Sequence, residues 1–160
     1  KNLNSLVVAA SKAMPEVQFL HLTGNYDFDR VEQELGGNYP SHKLIKFCDD
    51  MASVYAVTDL AIMRSGASSL SEISYLGIAS ILVPYPYAAD DHQTKNAEVF
   101  EQAEAAVLRQ EADLDAGMLV ADVTSILGDT EKLVNMSAAA AGLGVKDAAI
   151  RVCSVMEEMS

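Results

Sequence analysis

The stretch from Asp59 to Gln93 constrains the fold of this chain more than any other. Leu60 to Met63 is a short apolar run that stops at a turn signal, after which Ala67, Leu70, Ile73 and Leu76 recur at helical spacing. Ile78 to Val83 is a second apolar run closed by Pro84, so the segment reads strand, tight turn, helix, strand. A helix that opens directly after a strand of a parallel sheet points unpaired backbone N–H groups, and the positive end of its dipole, into the crevice at the strand's C-terminal edge. That crevice is where open α/β sheets hold phosphate.

The residues of this turn have matching chemistry. Gly66 has no side chain to keep a ligand away from the backbone. Ser65, Ser68 and Ser69 add short hydroxyl donors. Glu72 lies one turn in, where a carboxylate accepts two hydrogen bonds from a vicinal diol such as ribose. Ser69-x-x-Glu72 equally fits a capping box, in which the glutamate returns to the cap's own N–H. On the residues alone both readings stand.

The remaining chain alternates helix and strand. Lys1 to Met14 keeps Leu3, Leu6, Val7 and Ala10 on one helical face, and Pro15 ends it. A crossover helix in a parallel sheet follows a strand, so the chain is expected to begin in the middle of a βαβ unit. Val17 to Thr23 is the next strand. Thr23-Gly24 closes it at the sheet's C-terminal edge, either as a phosphate or sugar contact or as an ordinary strand end. Asp27 to Leu35 is a helix stopped by Gly36-Gly37, Lys43 to Phe47 a strand, and Asp49 or Asp50 caps a helix running to about Val57.

Tyr85 to Asp91 is a loop, and His92 opens a helix through Asn96, Ala97, Phe100 and Ala103. Val107 to Arg109 is a last strand. Leu114 to Leu127 and Thr130 to Ala141 read as helices, the first with Met118, Val120, Val123 and Ile126 as its buried stripe. A final helix capped by Asp147 carries Ala148, Val152, Val155 and Met159, and the methionines read as core filling. Strand and helix in alternation predict an α/β fold, a Rossmann-like doubly wound parallel sheet.

Composition narrows the function. The 160 residues, half of them apolar, suit one domain with a substantial core. No apolar run approaches the roughly 20 residues of a membrane span. A net charge of -12, with no basic patch, argues against nucleic acid and anionic lipid. A diphosphate is still acceptable, because backbone dipoles at a helix mouth neutralise it locally. Cys48 and Cys153 form no C-x-x-C, which suits a reducing cytoplasm. His21, His42 and His92 show no metal-ligand spacing.

Several motifs fail on inspection. Arg64-Ser65-Gly66 is not a nucleophile elbow, since Met63 and Ser68 occupy the glycine positions of G-x-S-x-G. No P-loop occurs. The adjacent carboxylates Asp90-Asp91 read as a solvated loop pair.

Five motifs taken together carry a resemblance. Phe47-Cys48-Asp49-Asp50-Met51, Arg64-Ser65-Gly66-Ala67, Ser71-Glu72-Ile73, Val83-Pro84 and His92-Gln93-x-x-Asn96-Ala97, in this order and spacing, resemble the C-terminal half of the MurG family. These are inverting GT-B N-acetylglucosaminyltransferases of glycosyltransferase family 28. The resemblance runs from about Asn2 to the end of the chain.

It implies a donor site for UDP-N-acetylglucosamine built from Thr23, Cys48, the run Ser65, Gly66, Ala67, Ser68, Ser69, Leu70, Ser71 and Glu72, and Gln93, with His92 and Asn96 as further candidates. Cys48 falls where the family grips uracil through its backbone. A nucleophilic Cys48 is the rival reading, and no histidine is near it in sequence. Gln93 falls on a sugar-binding glutamine, and His92 replaces a glutamine often found before it. The bland reading of the pair is a solvated helix start. Asn96 reads as a brace for the loop, because asparagine is otherwise unfavourable inside a helix.

The resemblance further implies that residues 1–160 are a single donor-nucleotide-binding domain, and that the first strand, its glycine-rich loop and an N-terminal acceptor domain lie outside the chain. No catalytic residue, metal or cofactor is then expected here. The partners are UDP-N-acetylglucosamine and, through the other domain, lipid I. Nucleic acid and direct membrane contact by this domain are not expected. The location is cytoplasmic, with the full-length protein peripheral on the inner membrane. Alternatives are another UDP-sugar enzyme half, such as a split N-acetylglucosaminyltransferase subunit or a UDP-sugar hydrolase, and a non-catalytic interaction domain.

Overall fold

The computed structural model describes residues 2–37, 39–88, 91–145, 147 and 153–157. The elements in chain order are α1 (Asn2–Ala13), β1 (Phe19–Leu22), α2 (Phe28–Leu35), β2 (His42–Ile45), α3 (Met51–Ala56), β3 (Leu60–Met63) and α4 (Ala67–Leu76). They continue with β4 (Ala79–Leu82), α5 (His92–Gln102), β5 (Ala106–Leu108), α6 (Ala116–Leu127) and α7 (Thr130–Leu143). Every strand pairing is parallel, and the strands form two sets, β1-β2 and β3-β4-β5.

Helices cover both faces, as the alternating pattern predicts. Side chains of β4 and its flanks alternate by the strand period of two. Ala79, Ile81 and Val83 meet Leu3, Val7, Ala10 and Met14 of the α1 segment and Leu119, Val123 and Ile126 of α6. Ile78 and Leu82 meet Leu70 and Ile73 of α4, Ala97 and Phe100 of α5 and Ala140 of α7.

All four residues of β4 are buried, whereas all four of its neighbour β3 are only half-buried. The difference comes from the edge. Among the described residues, β3 has no hydrogen-bonded partner on its far side, and neither has β1 beyond its pairing with β2. Phe19 of β1 and Leu60 and Ile62 of β3 nevertheless pack on the same apolar cluster beneath α1.

Three local expectations shift. In the α6 stripe Val123 and Ile126 are buried and Val120 packs against the core as expected, but Met118 is 37% exposed and Leu119 takes its place in the buried series. Asp115 caps that helix through the Met118 N–H, at 2.7 Å. Helix α7 continues through Gly142 to Leu143 and ends at Gly144, where a Cβ would stand 2.7 Å from the Ser74 carbonyl oxygen. Residues 153–157 are helical, but most of the helix expected after Asp147, including Ala148, Val152 and Met159, lies outside the described residues. Of the methionines expected to fill the core, Met118 is exposed and Met159 lies outside the described residues; Met14 and Met136 are the buried ones, and Met156 is exposed.

The joint between α4 and α7 depends on Gly77. It ends α4 at φ 69, ψ 48, and a Cβ there would come 3.2 Å from both the Ala141 Cβ and the Ser137 carbonyl. Gly77→Ala is expected to cost about 1–2 kcal/mol for the left-handed backbone alone, read as a lowered urea midpoint. An unchanged midpoint would show that α4 and α7 yield freely at this contact.

Candidate functional site

Four described segments meet the C-terminal edges of the strands: the turn after Thr23, Lys46 to Asp50, Arg64 to Gly66, and Val83 to Ala88. The third opens α4. Gly66 is its N-cap in extended backbone, φ -68 and ψ 141, with no side chain bonded to the helix end. The first helical bond runs from the Leu70 N–H to the Gly66 carbonyl, at 3.0 Å. The N–H groups of Ala67, Ser68 and Ser69 precede it and face outward by helix geometry.

The capping-box alternative fails here. Gly66, not Ser69, is the cap, and the Glu72 carboxylate does not return to the helix start. Its Oε2 instead accepts a hydrogen bond from the Tyr55 hydroxyl of α3, at 2.7 Å. No sequence signal marks Tyr55, because the pair spans 17 residues and meets only when α3 packs beside α4. Burial, with the hydrogen bond and the charge of Glu72, raises the Tyr55 phenol well above its ordinary value. The hydroxyl therefore remains a donor. An apolar groove of about 580 Å³ borders the pair, walled by Met51 and Ala52 of α3 and by Tyr75 and Leu76 of α4; it reaches neither Ser65 to Ser69 nor Gln93.

Other candidates are turned to different tasks. Ser65 is fully buried and its hydroxyl donates to the Gln93 carbonyl, at 2.8 Å, while its own carbonyl accepts from Asn96 Nδ2, at 3.2 Å. The hydroxyls left at the helix mouth are those of Ser68 and Ser69. Leu70 packs into the core, and the Ser71 hydroxyl bonds back to the Ala67 carbonyl. Gln93 Oε1 accepts from the Tyr85 N–H at 3.0 Å, which leaves the amide nitrogen as the half able to meet a ligand. His92 is exposed beside it. Cys48 sits between β2 and α3 with its thiol toward the Asp50 carbonyl, at 3.4 Å, and Asp50 caps α3.

Arg64, quoted in the resembling motif but given no role there, links the third of these segments to the fourth. Its guanidinium donates to the Val83 and Pro84 carbonyls at 3.1 and 2.8 Å, pairs with Glu111, and lies 5.5 Å from the Tyr85 ring centre.

Thr23 belongs to a buried polar chain. It is 8% exposed and its hydroxyl donates to the Gly24 carbonyl, at 3.1 Å. Asn4 Nδ2 donates to the Thr23 carbonyl and to Asp27, at 3.2 and 2.7 Å, so its oxygen faces His21 Nε2 at 3.1 Å. That nitrogen must therefore carry the proton. His21 Nδ1 then meets His42 Nε2 at 3.2 Å, and His42 Nδ1 meets the Ser11 hydroxyl at 2.6 Å.

Burial first, and His42 second, push His21 down to about 4 against the pull of Asp27; burial also lowers His42. Below the ordinary histidine value of 6.5 the unfolded chain takes up protons that the folded chain refuses. This contribution, on the order of 3 kcal/mol, is fully present above pH 6.5 and is lost as pH falls toward 4. Urea midpoints should fall across that window, and His21→Asn should flatten the profile. An equally steep profile in the variant would assign the dependence to other groups.

Among the described residues no cluster of histidine, cysteine and carboxylate groups is arranged to hold a metal, and no helix is long and apolar enough to cross a membrane.

Parallel strands flanked on both faces by helices, with an open helix mouth behind a glycine at the strands' C-terminal edge, define an α/β domain of the GT-B kind. The family profile described as the glycosyltransferase family 28 C-terminal domain matches residues 1–152, and the chain belongs to that family. Relatives named UDP-N-acetylglucosamine--N-acetylmuramyl-(pentapeptide) pyrophosphoryl-undecaprenol N-acetylglucosamine transferase include one from Gloeobacter violaceus. It is 40% identical over 139 residues, covering 87% of this chain and 39% of its own. Another, from Halorhodospira halophila, is 37% identical over 161 residues, covering 99% and 45%.

The crystal structure of Acinetobacter baumannii MurG superposes with a TM-score of 0.87 at 27% identity, over 98% of this chain and 46% of that one. A kitacinnamycin glycotransferase shares the fold, with a TM-score of 0.72 at 18% identity, over 98% and 38%. The chain thus spans less than half the length of these proteins.

Proposed function

We propose that residues 1–160 are the donor domain of an inverting N-acetylglucosaminyltransferase that converts lipid I to lipid II with UDP-N-acetylglucosamine. The observation that carries this reading is the start of α4: three outward N–H groups behind an uncapped Gly66, with Glu72 free of any capping duty. The diphosphate lies over Ala67 to Ser69, the ribose on Glu72, uracil near the Cys48 backbone, and the sugar against the Gln93 amide nitrogen and His92. Thr23 borders the site through its backbone, and Asn96 braces it.

The muramoyl C4 hydroxyl attacks the anomeric carbon, its proton passes to a base on the other domain, and the bond to UDP breaks with inversion. Negative charge then grows on the departing diphosphate, where fixed amides stabilise it more than they stabilise the ground state. The acceptor site lies on an N-terminal domain, which meets the cytoplasmic face of the membrane. Among the described residues one edge of β1 and one of β3 carry no strand partner, which supports a further parallel strand in the complete domain.

Calorimetric titration of the full-length protein with UDP, followed by a lipid I transfer assay, tests the function. Micromolar binding and transfer are expected from the full-length protein, and weak binding without turnover from residues 1–160 alone. A full-length protein that binds no uridine nucleotide would favour an interaction domain.

A further inference from the structure

We propose that Tyr55 is a positioning residue for nucleoside recognition: its hydroxyl holds one oxygen of Glu72 so that the other is presented to the ribose diol. The inference rests on the donor-site reading above. Glu72 is exposed on the second turn of α4, and among the described residues the Tyr55 bond at 2.7 Å is the only hydrogen bond that reaches its side chain. An exposed glutamate otherwise samples many rotamers, and a ligand that needs one of them must first immobilise it.

The Tyr55 ring is itself held against the cluster of Leu70, Ile73 and Phe100, so the hydroxyl is delivered from a fixed platform. Its raised phenol keeps the proton throughout the working pH range. The tyrosine is therefore the donor of this hydrogen bond. One donor on Oε2 leaves Oε1 and a further lone pair for the two ribose hydroxyls, which lets Tyr55 and the diol act together rather than compete. The pair also forms part of the wall between α3 and α4, so the relative position of those two helices is read out in the carboxylate's aim.

Tyr55→Phe keeps the ring and removes only the donor. Calorimetry on the full-length protein with UDP and with 2′-deoxy-UDP, for the wild type, Tyr55→Phe, Glu72→Gln and the double variant, separates the outcomes. Tyr55→Phe should weaken UDP binding about three- to tenfold, the cost of ordering one long side chain. It should lower the preference for UDP over 2′-deoxy-UDP by a similar factor and have no further effect in the Glu72→Gln background. Unchanged UDP binding in Tyr55→Phe, alongside weakened binding in Glu72→Gln, would overturn the inference and leave the donor site standing. Equal losses for both nucleotides, or an undiminished loss in the Glu72→Gln background, would reduce Tyr55 to a packing residue. A Glu72→Gln protein that binds UDP as the wild type does would remove the donor-site reading and this inference with it.

Discussion

Gly66→Val is expected to weaken UDP binding at least 100-fold while leaving the folded chain almost as stable as before. The backbone at Gly66, φ -68 and ψ 141, is ordinary for any residue, and a Cβ built there meets nothing within 4 Å. Neither strain nor crowding explains a glycine at this position. The remaining cost to the fold is a poorer N-cap, below about 1 kcal/mol.

The cost to a ligand is far larger. A diphosphate over the amides of Ala67 to Ser69 needs N–H···O contacts of about 2.9 Å, and a branched side chain would stand in that approach. Two charge-assisted bonds at about 1.5–3 kcal/mol each exceed the roughly 2.7 kcal/mol of a 100-fold loss. Calorimetry gives the affinity and urea unfolding the stability. Normal UDP affinity in the valine variant would place the diphosphate elsewhere on the sheet edge.

Arg64→Ala is expected to destabilise the chain by about 2–4 kcal/mol, as removal of one partner from a largely buried ion pair does. Arg64 and Glu111 are only 28% and 15% exposed at their side chains, and Glu111 Oε2 has no hydrogen bond to replace the pair. The Val83 and Pro84 carbonyls lose their shared donor as well. Adding Glu111→Gln should recover part of the loss, because the stranded charge disappears. Urea midpoints for the two single variants and the double variant decide this. A loss below about 0.5 kcal/mol, the usual range of a surface substitution, would show that the segments after β3, β4 and β5 do not depend on the guanidinium.

Much of the fold was legible because it is written in short-range periodicity. Leu60–Met63 is a strand with the predicted bounds, and α4 begins at the residue after Gly66 because the helical spacing starts at Ala67. Gly36 and Gly77 end their helices in left-handed backbone, as glycines after a periodic run do. Of the two aspartates offered as the cap of α3, Asp50 is the one used, through the Ser53 N–H. The α6 stripe shows the limit. Apolar residues follow one another from Met118 to Val120, so two registers fit the period, and packing against α1 selects the one centred on Leu119.

The site divides in the same way. Sequence by itself determined the order of strands and helices, the crevice behind Met63, and the open amides that follow Gly66, because each depends on residues within one turn of each other. Tertiary structure alone decided where the side chains of that segment point. It turned Ser65 inward to Gln93, gave the acceptor of Gln93 to the Tyr85 N–H, and set Tyr55 on Glu72. Those partners lie 28, 8 and 17 residues apart. A hydrogen bond at such a distance along the chain exists only after the helices have packed, and packing is fixed by the summed fit of many side chains rather than by any local pattern.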